Sequence, residues 1–315
     1  MKFHLDFSFE SNLKFKIEDH FFLIGSCFSQ NIGSYFKNHL FHHTLNPFGI
    51  LYEPFSIARA LDFVIENKSI DKTELIMNSG IWHSPYHHGI FSSEEPDDIL
   101  RKIGLEMRNA HQRLKNTNLL VITFGSAYGW RDIESGKIFA NCHKIPGNQF
   151  EKVFFDSEEV LKIWDPIIDK IFNFNPHIKI IFAISPVRYI RDGLINNSKS
   201  KAALITSVHR LSKGENVQYF PSYEILMDVL RDYRFYAEDM VHPNGQALNY
   251  IWNIFKSAFF EIDAIQQMNE ISEYDKFKRH RPLKLEQIHL EKLIEKRKLL
   301  MIKYPKLDWE SDEMI

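Results

Sequence analysis

Cysteine is scarce in this chain: two residues in 315, Cys27 and Cys142. Two thiols cannot build a disulfide framework, and their spacing fits no cysteine-based zinc site. A dominant charge is lacking as well. Lys plus Arg number 39 against 41 Asp plus Glu, a net of -2 with no long run of either sign, so the electrostatic footprint of a nucleic-acid binder is missing and no nucleic-acid partner is expected. No apolar run reaches the ~18 residues that a membrane span needs. The first residues, MKFHLDFSFESNLKFKIEDH, mix charge with Phe where a secretory signal needs an apolar centre, and a cytoplasmic protein is expected. Ile24-Gly25-Ser26-Cys27 has the form of a lipoprotein cleavage box, but Glu18, Asp19 and His20 interrupt the apolar stretch ahead of it. There is no internal repeat and no low-complexity tract.

What is present is an alternation of short apolar runs with helical periodicities. Residues 21 to 24 (FFLI), 119 to 124 (LLVITF), 178 to 184 (IKIIFAI) and, more weakly, 217 to 220 read as buried strands. After Gly25-Ser26, Phe28, Ile32, Tyr35, Phe36 and Leu40 recur at helical spacing. Segments 56 to 67, 157 to 174, 198 to 213 and 245 to 261 do the same. The connections between strands are too long for hairpins, so an α/β fold with a mostly parallel sheet is expected. Residues 78 to 93 and 127 to 150, rich in Gly, Pro, His and aromatics, read as loops or a small hairpin above the sheet. From about residue 265 charge dominates, and Leu283 to Lys303, bounded by Pro282 and Pro305, is amphipathic. The expected organisation is an α/β domain over residues 1 to 262 and a helical C-terminal extension over 263 to 315.

Ser26 falls at the carboxyl end of the first strand and the start of a helix, where open α/β sheets present ligand-binding groups. A helix start offers free N–H groups and a positive dipole end to a developing oxyanion; an N-cap serine is the competing reading. A serine nucleophile needs a base. Asp239-x-x-His242 supplies one: Asp239 can hold the Nδ1 proton of His242 and leave Nε2 free for Ser26, although a local turn hydrogen bond would use the same residues. Pro243 stiffens the chain after His242, and Asn244 can cap the next helix. Cys27 is a second candidate nucleophile at the helix start, expected instead to face away from the cleft.

Fifteen histidines invite a metal reading, but Pro85 separates His83 from His87 and no His-Glu-x-x-His occurs, so no metal or cofactor is expected. Trp82, His83, Tyr86 and His88 read as pocket wall or as a structural hairpin, with His143 near the same loops. Arg188 follows the strand ending at Ile184 and either binds a substrate carboxylate or phosphate or pairs with Asp192 or Asp232.

Several blocks occur in a fixed order: Gly25-Ser26-Cys27-Phe28-Ser29, Asn46-Pro47-Phe48-Gly49, Trp82-His83-Ser84, Asn141-Cys142-His143-Lys144, Ser185-Pro186-Val187-Arg188 and the stretch from Arg231 to Asn244. Over roughly residues 20 to 260 the chain resembles the GSCFA family, with Ser29 in place of the motif's alanine, and through it the SGNH/GDSL-type hydrolases. The resemblance implies a three-layer flavodoxin-like domain with Ser26, His242 and Asp239 in catalytic roles. It also marks a departure. SGNH enzymes carry an oxyanion asparagine in a Gly-x-Asn-Asp block, whereas Gly125-Ser126-Ala127 stands here. The oxyanion donors are then expected among the N–H groups of Ser26 and Gly49, with Ser126 or Asn141 as a third. The expected activity is that of a serine hydrolase on a small-molecule or carbohydrate ester. Acyl transfer by the same triad and a non-catalytic ligand-binding protein are the alternatives.

Overall fold

The computed structural model describes residues 5–280 and 286–312. The chain runs through β1 (Phe21–Gly25), α1 (Cys27–Asn38), β2 (His43–Leu45), α2 (Pro54–Glu66), the hairpin β3 (Ile76–Asn78) and β4 (Ile81–His83), and α3 (Pro96–Lys115). Then follow β5 (Leu119–Phe124), β6 (Tyr128–Asp132), β7 (Ile138–Phe139), β8 (Phe150–Phe154), α4 (Ser157–Phe174), β9 (Lys179–Ile184), α5 (Leu194–Leu211) and β10 (Val217–Phe220). A short helix, α6 (Ser222–Glu224), runs into a π-helix over Ile225–Leu230, followed by α7 (Gly245–Phe259), α8 (Ile262–Arg279) and α9 (Glu286–Lys303). Pro282 and residues 283 to 285 of the amphipathic stretch lie outside the described residues.

The central sheet has the order β10-β9-β5-β1-β2, and every pair in it is parallel. Its inner strands are apolar without alternation because both faces are covered. Phe22, Ile24, Leu120, Ile122 and Phe124 enter one core with α2, α3, α4 and α5, through residues such as Leu61, Leu114, Trp164 and Leu204. Phe21, Leu23, Leu119 and Val121 enter the other with Phe36 of α1 and Trp252 and Phe255 of α7. Three layers result, as the alternation of elements requires. Met268 and Ile271 of α8, Leu293 of α9 and then Leu307 and Trp309 join this second core. Asp312, which follows them, accepts from Tyr274, Lys278 and Arg297.

The two segments read as loops carry small sheets of their own. β3 and β4 form an antiparallel hairpin. β7-β6-β8 form an antiparallel three-stranded sheet inserted between β5 and α4. Ile24, Phe124 and Ile184 stand at the carboxyl ends of adjacent parallel strands, and the insertion rises beside those ends.

Candidate active site

The turn that presents Ser26 depends on two glycines. Gly25 has φ +135, and a Cβ on it would lie 2.1 Å from the carbonyl oxygen of Thr123, so only a residue without a side chain lets β1 end this close to β5. At the end of β5, a Cβ on Gly125 would meet the Cβ of Ser26 at 3.2 Å. The Asn46 side chain accepts from the Gly25 N–H at 2.9 Å. Ser26 is 1% exposed and caps α1, its Oγ accepting from the Phe28 N–H at 3.3 Å. That bond uses a lone pair and leaves the hydroxyl proton to be donated.

His242 lies in the turn before α7. Oδ1 of Asp239 accepts the N–H groups of Val241 at 2.9 Å and His242 at 3.0 Å, and Oδ2 is 2.6 Å from Nδ1 of His242. The backbone and ring N–H groups of His242, with that of Val241, hold the Asp239 carboxyl down at about 2. It is therefore ionised at neutral pH and holds the ring through Nδ1. Asn244 caps α7 from the same turn, accepting from Gln246 and Ala247. No hydrogen bond joins Ser26 to His242.

Ser26 and His242 border two chambers of one cleft. Ser26 faces an inner chamber of about 80 Å³ walled by Trp130, Phe139, Ala140 and Val187. His242 faces an outer chamber of about 870 Å³ together with Asn141, Lys152 and Arg188. Cys27, Tyr52, Tyr189 and Asp192 border both.

Several expected residues lie elsewhere or are already engaged. The Ser26 N–H donates to Thr123 O at 3.1 Å and the Gly49 N–H to Asn46 O at 2.7 Å; Gly49 packs on His88 and borders neither chamber. Ser126 is in the inner chamber, its N–H on Tyr52 O and its Oγ accepting from Tyr128, so its hydroxyl proton is what it can offer. Asn141 is in the outer chamber, its Oδ1 accepting the His143 N–H at 2.9 Å. Trp82, His83, Tyr86 and His143 border neither chamber. They build a packed structure beside the cleft: His83 stacks on His143, Nε2 of His143 meets Ser84 O, and the Tyr86 hydroxyl donates to Glu74. Arg188 pairs with neither Asp192 nor Asp232. Its guanidinium lies over Tyr236 at 4.5 Å and Tyr233 at 5.5 Å, while Asp192 pairs with Lys152 and Asp232 with Arg234. Cys27 borders the cleft instead of facing away, and burial pushes its thiol up, so the helix start does not make it a thiolate at neutral pH. Among the described residues no group of three or more His, Cys, Asp or Glu could hold a metal, and no helix is long and apolar enough to cross a membrane.

The structure adds one residue to the site that local motifs do not mark. Lys201 of α5 is fully buried, its Nζ donating to Gly125 O and Ser185 O at 2.7 Å each. Burial, opposed by the nearby Cys27 thiol, pulls its ammonium down to about 7. Asn197 and Ser200, on the same face, accept from the Tyr189 and Ala127 N–H groups, so one helix stripe fastens the loops after β5 and β9. The sequence signal is a lysine in register with Leu204, Val208 and Leu211, an apolar stripe where a charge needs a reason.

Among solved structures, two esterases are similar to this chain. A carbohydrate esterase family 3 structure from Talaromyces cellulolyticus is similar at 9% identity and TM-score 0.35, covering 80% of this chain and 99% of that one. A structure of an acetyl esterase mutant with acetate ion is similar at 10% identity and TM-score 0.37, covering 81% of this chain and 100% of that one. No curated protein matches the sequence. The sequence model of the GSCFA family matches residues 20–255, a span that takes in Ser26, Asp239, His242 and every strand of the central sheet, and the chain belongs to that family.

Proposed function

We propose that this protein is a serine hydrolase of the SGNH type that removes a short acyl group from an ester of a larger polar alcohol. The observation that carries the reading is a serine at a helix start and an imidazole held on Nδ1 by Asp239, bordering adjoining chambers of one cleft. Nε2 of His242 takes the proton of Ser26 Oγ, which attacks the ester carbonyl. The oxyanion is met by the Cys27 N–H at the start of α1, the Ser126 hydroxyl and the Asn141 amide in place of the SGNH asparagine. His242 returns the proton to the leaving alcohol, and water repeats the sequence to free the acid and Ser26. The inner chamber, about 80 Å³ with apolar walls, suits an acyl group of a few carbons, and the outer one suits the alcohol.

Labelling with a serine-directed fluorophosphonate, followed by mapping of the modified residue, tests this. Modification of Ser26 together with turnover of short acyl esters is expected. Absence of both over a broad ester panel would leave the second reading, a ligand-binding protein on a hydrolase fold. Two features favour that alternative: Ser26 is not bonded to His242, and the Ser26 and Gly49 N–H groups are spent on backbone carbonyls.

A further inference from the structure

Asp192 is a buried charged group of the cleft that the hydrolytic reading leaves unused. Its side chain is 7% exposed and borders both chambers. Oδ1 is paired with the Lys152 ammonium of β8. Oδ2 is buried and accepts no hydrogen bond. Buried carboxylate oxygens rarely go unpartnered, because the desolvation of a charged acceptor is then uncompensated. The same pair is flanked by aromatic surface: Lys152 lies 4.4 Å from the centre of the Tyr128 ring and 5.8 Å from that of Trp130, and Tyr189 borders both chambers.

We propose that Asp192 is a specificity-determining residue that accepts a hydrogen bond from a hydroxyl on the alcohol part of the substrate, selecting polyhydroxylated alcohols of the sugar type. Lys152 balances the charge of Asp192, while Arg188 and Arg191 also line the outer chamber. A hydroxyl suits the Asp192–Lys152 pair itself, donating to the carboxylate and accepting from the ammonium. The rings supply flat apolar surface for the C–H faces of such an alcohol. The assignment rests on the reading of the cleft as an ester site.

The test is equilibrium binding to the full chain carrying Ser26→Ala, with the monoacetates of methyl β-xyloside and their monodeoxy analogues as probes. Removal of one particular hydroxyl is expected to weaken binding about 10- to 100-fold, the range of a hydrogen bond to a charged group. Adding Asp192→Asn is expected to weaken the parent probe similarly and to abolish discrimination against that deoxy analogue. Asp192→Ala provides a second variant, and thermal melting establishes that each is folded. If both folded variants still discriminate by the same factor, Asp192 serves Lys152 alone and the proposal is overturned. If neither variant folds, the deoxy series on Ser26→Ala decides: no hydroxyl worth tenfold, or no binding at all, overturns it. Ester turnover by the wild type is scored separately. Hydroxyl-dependent binding without turnover would remove the hydrolase reading and leave Asp192 as the hydroxyl acceptor.

Discussion

Nζ of Lys201 donates to the carbonyl oxygen of Gly125 at 2.7 Å, so a buried cation fixes the end of β5 against Ser26. Burial brings this ammonium from its ordinary 10.5 to about 7. Between those values the unfolded chain holds a proton that the folded chain has released. The contribution of this group to stability therefore rises with pH from about 7 towards 10.5. In melts of Lys201→Met beside wild type, the variant is expected to fare best relative to wild type below pH 7 and to lose ground as pH rises. A pH-independent difference between the two would show that the buried charge carries no such penalty.

Ser26→Ala separates chemistry from capping. Loss of a cap costs about 0.5 to 2 kcal/mol, while loss of a nucleophile costs orders of magnitude in rate. Ester turnover is expected to fall at least ~1000-fold with only a small drop in thermal midpoint. Cys27→Ala is expected to stay within about tenfold of wild type, since burial raises the Cys27 thiol. Activity lost in Cys27→Ala and kept in Ser26→Ala would move the nucleophile by one residue.

Gly25→Ala meets a rigid obstacle, because the atom its Cβ would strike at 2.1 Å is the Thr123 carbonyl oxygen, at a positive φ. A loss of about 3 kcal/mol or more is expected, from strain and displaced β5 together. Chemical denaturation measures it. A wild-type midpoint would mean that β1 and β5 can separate at this turn without cost.

Beside the cleft, His87 is stacked on Phe48 at 4.4 Å and bonded through Nδ1 to Ser84 Oγ. Burial pulls it down to about 3, and His143 to about 4. As pH falls below the ordinary 6.5, the unfolded chain takes up protons that these folded histidines refuse, so stability declines from about pH 6.5 towards 3. His87→Phe is expected to flatten that decline, and melts between pH 4 and 7 would reveal it. An unaltered slope would place the acid sensitivity elsewhere.

The inner strands are legible because burial on both faces writes a continuous apolar run: Phe21 and Leu23 pack to one side, Phe22 and Ile24 to the other. β2 is not. It is a three-residue edge strand, His43–Leu45, too short and polar to carry a pattern. Helix α3 has Ile99, Ile103, Met107, Ala110 and Leu114 on its buried side, but its dense charge hides the stripe among the segments read as helical. The Asp239–His242 pair is legible because both partners lie in one turn. The hairpin around His83 shares the cleft's composition without bordering it, since composition does not say where a loop folds. Lys201 and Asp192 gain their significance from partners far away in sequence, Gly125 and Lys152, and no local window contains that relation.

The three-stranded insertion leaves β5 and runs on into α4, and its two ends meet at a single residue, Ala127. The Phe155 N–H donates to Ala127 O at 2.8 Å, and the Ala127 N–H is held by Ser200 Oγ at 2.7 Å. A segment whose two feet are already hydrogen-bonded can be exchanged for another of different length without stretching the strands on either side. The wall bearing Trp130, Phe139 and Asn141 is in that sense an interchangeable fitting. Ser26, Asp239, His242 and Lys201 all belong to the frame beneath it, so a graft at Ala127 and Phe155 re-tailors the walls of both chambers, the Asn141 amide included, while the proposed nucleophile and base stay in place.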